Sequence, residues 1–349
     1  MNIKLAANAN QAGLNRFAAA DPDEAIKLLK TAYLHWAEEK GILVNLGLAL
    51  MQKGLQYQAE KCYQIAIKSN DLRTRRSARK NLGFLYLWRG EWDMGWFWHH
   101  QRFEGEPFLI TQWNGESLNG KPILIWNDVG MGDAFQFVRY TLPLVERGEK
   151  VILAVHKSQI DIFKNQLKWP LFDVVDREEV KLENHIHIPL MGLIPLIDKT
   201  TSWGKKWQGP TWITDETNTT SDKIGICWAS NPADRTMHHY KSSSPEELIN
   251  TSASEVKNSQ IISLQTNEPE THKRLNLRSA KPCWQESLKE IRNCKLIISV
   301  DTAIAHLAAG AKKPVKILLP KIADWRWQQA LSKDSKACWY PELKLIQKM

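Results

Sequence analysis

The pattern of apolar and polar positions changes character near residue 121. Before it, apolar and small residues recur at helical spacing, and the same arrangement returns along the chain. After it, short unbroken apolar runs take over. KPILIWND, then the glycine-bearing VGMGD, then AFQFVRYTLPLVERG with apolar positions at helical spacing, then KVILAV, predict a strand, loop, helix and strand. Such a unit is the mark of a right-handed parallel crossover. A polar, turn-rich stretch over 201–222 reads as a linker, and beyond it KIGICWAS, QIISLQT, KLIISV and VKILLP form a second strand series with helix-like stretches between them. Two doubly wound halves joined in this way place ligands in the cleft between them, at the carboxyl ends of the strands.

The front third is internally repetitive. NLGLALMQKGLQYQAEKCYQIAI from Asn45 aligns with NLGFLYLWRGEWDMGWFWHHQRF from Asn81, setting Gly47 on Gly83, Leu50 on Tyr86, Gly54 on Gly90 and Ala59 on Gly95, each pair 36 apart. Gly13, Ala20, Ala25, Leu29 and Ala32 precede Gly47, Gly54, Ala59, Tyr63 and Ala66 by 34. That period, with small residues at fixed offsets, reads as tetratricopeptide repeats, helix pairs that stack to bury a shared face. The third copy carries His99 and Arg102 where small or aromatic residues are expected, which suits a divergent cap onto the α/β portion of the chain. Trp88, Trp92 and Trp96 are four apart, so they are expected along one helix face as a docking surface. His99 and His100 are adjacent and point to different sides of a helix, against a joint metal site. RTRRSARK, residues 73–80, is expected to be a solvated linker between helices.

Composition narrows the function classes. The chain has 349 residues with 47 basic and 38 acidic side chains, a net charge of +9, so anionic partners suit it: nucleic acid, acidic lipid or a phosphorylated small molecule. No nucleic-acid-binding motif accompanies the charge, and no nucleic acid is expected. No apolar run approaches the roughly 20 residues of a membrane helix, and the start MNIKLAANANQAGLNRF lacks the apolar centre of a secretory signal, so the expectation is a cytoplasmic protein without a membrane span. Cys62, Cys227, Cys283, Cys294 and Cys338 are scattered without a C-x-x-C, suggesting neither a disulfide framework nor a zinc site. The only D-x-D is DPD at 21–23, between repeat helices, and His185 and His187 in HIH lack a visible third ligand; no metal is expected.

Two junctions carry candidate chemistry. The strand LIISV ends at Asp301, Thr302 stands where a helix N-cap belongs, AIAHLAAG follows as the helix, and Gly310 is its expected stop. A helix N-terminus at the carboxyl end of a parallel strand offers free N–H groups and a positive dipole end, suited to a phosphate or diphosphate. His306 lies one turn in and can face the same ligand; the plainer reading makes Thr302 a cap and His306 a hydrogen-bonded helix residue. In DVGMGDAF, Gly130 and Gly132 are expected to permit a tight turn, with Asp133 at a helix start facing the same cleft. The third position of a dinucleotide fingerprint is Phe135, and no Gly-Lys-Ser/Thr follows, so neither nucleotide motif is complete. Asp133 is then either a stabilising first-turn charge or, across from a phosphate site, a general base for an acceptor hydroxyl. Trp228, Trp325 and Trp327 are candidates for stacking on a base or sugar, with core packing as the equal alternative.

The segments NDVGMGDAFQFVRY, KIGICWASNP, YKSSSPEEL, ISLQT, ISVDTAIAHLAAGAKKPVKILLP, DWRW and CWYPELKL occur in an order that resembles bacterial tetratricopeptide proteins whose C-terminal portion is similar to glycosyltransferase family 9, the heptosyltransferase-like family. The resemblance covers roughly 120–345. It implies an α + α/β architecture: a helical repeat domain over 1–105, then a GT-B pair of Rossmann-like α/β domains, the acceptor-side half over 120–205 and the nucleotide-sugar half over 206–349. It implies metal-independent, inverting transfer from a nucleotide-diphosphate sugar, with no cofactor beyond that substrate and the repeats holding an acceptor glycan or protein. Asp133 then falls on the base, and Asp301, Thr302, Ala303 through its backbone, and His306 fall on contacts to the donor's diphosphate and sugar. Lys241 and Ser242 stand where the family usually has Arg-Ser, which keeps a positive charge and loses the bidentate fork. Asp128 stands where relatives with these repeats usually have Glu. The competing reading is a non-catalytic interaction protein that keeps the transferase fold.

Overall fold

A computed structural model describes residues 2–197, 212–213, 221–266, 268–331, 339–340 and 343–348. Most of the turn-rich stretch over 201–222, and Cys338, lie outside the described residues. The chain begins with three helix pairs: α1 (Ile3–Ala18) with α2 (Pro22–His35), α3 (Gly41–Gln52) with α4 (Gln56–Ala66), and α5 (Leu72–Arg89) with α6 (Trp92–Gln101). The repeated glycines mark where each pair closes. A Cβ at Gly13 would lie 2.7 Å from Leu29 Cγ, one at Gly47 2.3 Å from Tyr63 Cε1, and one at Gly83 2.6 Å from the backbone nitrogen of His99. The small residue of the first helix therefore admits the large residue, or the backbone, of the second, at the same place in every copy. Asp21 and Asp71 accept from the backbone N–H groups of Glu24 and Thr74, fixing the starts of α2 and α5.

Two expectations for this region change. Gly90 takes a left-handed conformation (φ 80°) and stops α5, so Trp88 belongs to α5 while Trp92 and Trp96 belong to α6. All three still serve docking: Trp88 Nε1 donates to Ala323 O at 3.0 Å, and the Trp92 and Trp96 rings meet Trp325 edge-on at 6.3 and 5.7 Å. Residues 73–80 are not a linker but the first half of α5, where Arg79 pairs with Glu104 and Arg76 with Glu106 in the segment after α6.

Two parallel sheets follow. The first has the order β3-β2-β1-β4, from β1 (Ile123–Trp126), β2 (Val151–Val155), β3 (Phe172–Asp176) and β4 (Ile186–Pro189). The second runs β6-β5-β7-β8-β9, from β5 (Lys223–Cys227), β6 (Gln260–Ser263), β7 (Cys294–Val300), β8 (Val315–Leu319) and β9 (Leu343–Gln347). Helices cover both faces, so the inner strands are apolar without alternation. The long helix expected after β1 is divided into α7 (Met131–Phe137), a 3-10 turn over Val138–Thr141 and a short helix Leu142–Glu146 in whose first turn Pro143 lies. The other helices that shape the site are α8 (Arg235–Lys241), α9 (Ala303–Gly310) and α10 (Trp325–Leu331).

A single buried cluster runs through the helical region and both sheets, from Leu87 and Trp96 through Ile123 and Phe135 to Ile297 and Trp327. Phe135 stacks on Trp212 at 5.6 Å, and Phe137 on Trp325 at 6.2 Å. Among the described residues no helix is long and apolar enough to cross a membrane.

Candidate functional site

The site forms where the starts of α7 and α9 meet. A Cβ at Gly132 would come within 3.0 Å of His306 Cδ2 and 3.3 Å of Ala303 Cα. This close approach, not a tight turn, is what requires glycine at 132. Neither Gly130, at φ −68°, nor Gly132 takes a positive φ, so the expected turn conformation is absent. Gly130 contributes its N–H, which donates to Asp133 Oδ2 at 2.9 Å and closes the first turn of α7.

Asp133 has a second partner that the sequence did not announce. Its Oδ1 accepts from Arg326 Nη2 on α10, and Arg326 Nη1 donates to Asp324 Oδ1 at 2.9 Å. Across the same space, Lys241 Nζ at the end of α8 donates to Asp301 Oδ2 at 2.6 Å, and His306 Nε2 lies 3.7 Å from Asp301 Oδ1. His306 Nδ1 is 3.0 Å from the Tyr340 hydroxyl, and its ring stacks on Trp327 at 5.3 Å. The structure thus gathers Asp133, Lys241, Asp301 and His306 into one charged cluster and adds Asp324, Arg326 and Tyr340. The sequence signal for Asp324 and Arg326 was DWRW, two charges set among tryptophans, which become buried only with partners; Tyr340 lies in CWYPELKL.

Thr302 and Ser242 behave differently from expectation. Thr302 occupies the N-cap position of α9 but makes no side-chain cap bond. Its hydroxyl lies 3.0 Å from Ser299 Oγ and 3.8 Å from Cys227 Sγ, turned back toward the strands. The first N–H groups of α9, Ala303 included, therefore have no cap from this side chain. Ser242 Oγ accepts from Ser230 N at 3.0 Å and braces the loop after β5. Gly310 is the last residue of α9, where a Cβ would lie 3.2 Å from Trp212 Nε1. Trp228, Trp325 and Trp327 are buried in the core. His187 is also a core residue, accepting from Trp126 Nε1 at 3.1 Å and lying 2.9 Å from Phe108 O.

Burial and the neighbouring charges set the protonation of the cluster. Burial pushes the Asp133 carboxyl above its ordinary range against the pull of Arg326, with Asp324 and Asp301 adding to the rise. Burial alone would raise Asp301 too, but Lys241, Arg326 and His306 hold it well below the usual carboxylate range. Lys241 and Arg326 are opposed by burial yet kept above their ordinary values by the surrounding aspartates. Burial lowers His306 to about 3 in spite of Asp301, so its imidazole is neutral near pH 7.

That shift has a sign. Below pH 6.5 the unfolded chain takes up a proton at His306 that the native state does not, down to the folded value of about 3. Stability is complete above pH 6.5 and falls beneath it by about 1.4 kcal/mol per pH unit for this one group. Because burial also lowers His99, His100 and His187, the test is a difference: urea unfolding at pH 7, 6 and 5 is expected to fall less steeply in His306→Gln than in the wild type, and an equal slope would mean that His306 is not buried neutral.

A cavity of about 190 Å³ lies over Lys241, Asp301 and Asp324, and its opposite wall is the face of α3 and α5 that carries Met51, Phe84 and Trp88. The free space beside the cluster thus faces the helical region, and Asp133 and Arg326 do not line it. Among the described residues no set of three His, Cys, Asp or Glu side chains converges as metal ligands.

No protein-family model and no curated protein sequence matches the chain. Solved structures do. E. coli heptosyltransferase WaaC with ADP-2-deoxy-2-fluoro heptose is 13% identical at a TM-score of 0.39, over 65% of this chain and 93% of the other. The same enzyme with ADP is 14% identical at 0.40, over 65% and 91%. A mutant of the Thermobaculum terrenum O-GlcNAc transferase is 12% identical at 0.36, over 92% of this chain and 76% of the other.

Proposed function

We propose that the protein is a metal-independent, inverting glycosyltransferase that moves a sugar from a nucleotide-diphosphate sugar to a hydroxyl acceptor. The observation that carries the reading is the cluster itself: a carboxylate raised by burial, a buried arginine, a largely buried lysine and a helix start without a side-chain cap, gathered in one charged cluster. Departure of a nucleoside diphosphate needs positive charge where the leaving oxygens develop theirs, and a fixed dipole end with a lysine supplies it as a metal ion would. In this reading Lys241 and the N–H groups of Ala303 and its neighbour hold the diphosphate. Asp301 aims Lys241, and neutral His306, set by Tyr340, offers a hydrogen bond to the donor.

Asp133 takes the proton from the acceptor hydroxyl as that oxygen attacks the anomeric carbon from the face opposite the diphosphate, which inverts the centre. A carboxylate with a raised pKa is the stronger base, and Arg326 must release it when substrates bind. Residues 1–105 then form the tetratricopeptide domain that holds an acceptor glycan or protein, 120–205 the acceptor-side half and 206–349 the donor-side half.

A second reading, a scaffold without turnover, is favoured by one fact: each charge of the cluster already has an internal partner. A thermal-shift panel of nucleoside diphosphates and nucleotide sugars without added metal separates the two. A donor at 100 times its dissociation constant adds about 2.7 kcal/mol, and the shift is expected in the wild type and not in Lys241→Ala or His306→Ala. No shift with any donor, and no slow donor hydrolysis, would leave the scaffold reading standing.

A further inference from the structure

Residues 127–130 join β1 to α7 and end on the N–H that donates to Asp133 Oδ2. That N–H belongs to the Val129–Gly130 peptide unit, whose carbonyl, Val129 O, accepts from Asn127 Nδ2 at 3.0 Å. A peptide unit is planar, so fixing its carbonyl also fixes the direction of its N–H. Asn127 Nδ2 donates to Gly130 O as well, at 3.3 Å. Asn127 is buried, and its own backbone is held at both ends: its N–H donates to Ala154 O on β2 at 2.9 Å, and its carbonyl accepts from Arg177 Nη1 at 3.3 Å.

The next residue ties the same loop to the helical region. Arg102, the C-cap residue of α6, donates to Asp128 Oδ2, and the two side chains are 8% and 6% exposed. Arg102 is anchored on its own side too. Its Nη1 donates to His99 Nδ1 at 2.9 Å and to the His99 carbonyl, and its guanidinium lies 3.9 Å from the centre of the Phe103 ring. By the repeat offsets, Arg102 stands in the place of Ala66 and Ala32, and His99 in that of Tyr63 and Leu29. The two departures of the third copy from its repeat are thus an arginine that reaches the loop and the histidine that holds it.

We propose that Asn127 and Arg102 are positioning residues for Asp133. Asn127 turns the Val129–Gly130 peptide so that its N–H meets the carboxylate, and Arg102, through Asp128, fixes the loop to the last helix pair. The inference rests on the reading of Asp133 as the base. In it the helical region places the base, and is more than a module that holds an acceptor.

Three variants of the full chain test it. Asn127→Ala removes the amide. Arg102→Met combined with Asp128→Val removes the tie without leaving a buried charge alone. Arg102→Lys keeps a cation against Asp128. In the first two, hydrogen exchange at the Gly130 N–H is expected to quicken about tenfold or more while the β1 amides keep their protection; Arg102→Lys is expected to restore slow exchange. Sugar transfer is expected to fall about tenfold to a hundredfold in kcat at unchanged donor KM, the scale of loss for a reacting group displaced by about 1 Å. The acid limb of the activity is expected to move to higher pH, because an N–H that favours the charged carboxylate is lost. Arg326, Asp324, Lys241 and Asp301, the charged groups around Asp133, are the same in every variant. Loss of folded protein alone would lower the amount of active enzyme and leave that limb in place.

Unchanged Gly130 exchange in both disrupting variants would overturn the proposal. So would a wild-type kcat and acid limb in both, with Asp133→Asn inactive. Full activity of Asp133→Asn would instead sink the transferase reading of Asp133, and Gly130 exchange would then decide the tie by itself.

Discussion

Asp133→Asn is expected to lower sugar transfer by about 10³-fold or more while nucleotide-sugar affinity stays within about twofold. A positioned general base is worth some 10² to 10⁴ in rate, and asparagine keeps the shape of the side chain without its capacity to take a proton. The amide oxygen can still accept from the Gly130 N–H, so the first turn of α7 keeps its closure. Arg326 loses one partner but retains Asp324. Removing a negative charge beside the proposed diphosphate site does not weaken the binding of an anion, so lost donor binding would point to a misfolded loop. Single-turnover assays with the donor held above its dissociation constant measure the chemical step. Activity of the wild type is expected to disappear as pH falls through the Asp133 pKa, on an acid limb displaced upward from the ordinary carboxylate value. Unchanged turnover in the variant would remove Asp133 from the mechanism.

The same residue shows how far the sequence could be read. Asp133 at a helix start and Asp301 at a strand end were legible because both depend on local pattern: an apolar run, then a polar junction, then helical spacing. The partner of Asp133 lies 193 residues later, and nothing near Arg326 in the sequence says which carboxylate it meets. Thr302 failed as a cap for the opposite reason. Local chemistry favours the cap, but the hydroxyl turns back to Ser299, three residues earlier on β7, and to Cys227, which β5 brings alongside.

The inner strands were readable because a strand buried on both faces is an unbroken apolar run. FDVVD in β3 and IHIP in β4 break that rule with Asp173 and His187, so neither stands out as a strand in the sequence. In the helical region the glycine offsets were informative because they record helix contacts. They also carry the boundary that separates Trp88 from Trp92 and Trp96: Gly90 aligns with Gly54, and both take a positive φ. The alignment that revealed the repeat also held the helix stop.

Asp301→Ala is expected to cost about 3–5 kcal/mol of stability, the range for removing one partner of a buried ion pair. The Asp301 side chain is 3% exposed and its Lys241 partner 17%, so the ammonium left behind meets water only through the cavity beside it. Arg326 and His306 lose the same carboxylate. If desolvation of Lys241 is the source of the cost, replacing the lysine as well should recover part of it, since an apolar pair of similar volume often stands as well as an ionic one. Urea unfolding of the wild type, Asp301→Ala, Lys241→Met and the double variant gives the coupling directly.

A single-variant loss below about 1 kcal/mol with no coupling would mean that the pair behaves as a surface pair. Recovery in the double variant has a functional consequence as well. A protein that folds better without the pair yet keeps it carries a lysine whose charge is held ready, and a ligand that replaces Asp301 as its partner accounts for that arrangement in the proposed reading. The double variant should then be stable and unable to hold a nucleoside diphosphate, which separates what the cluster does for the fold from what it is proposed to do for a donor.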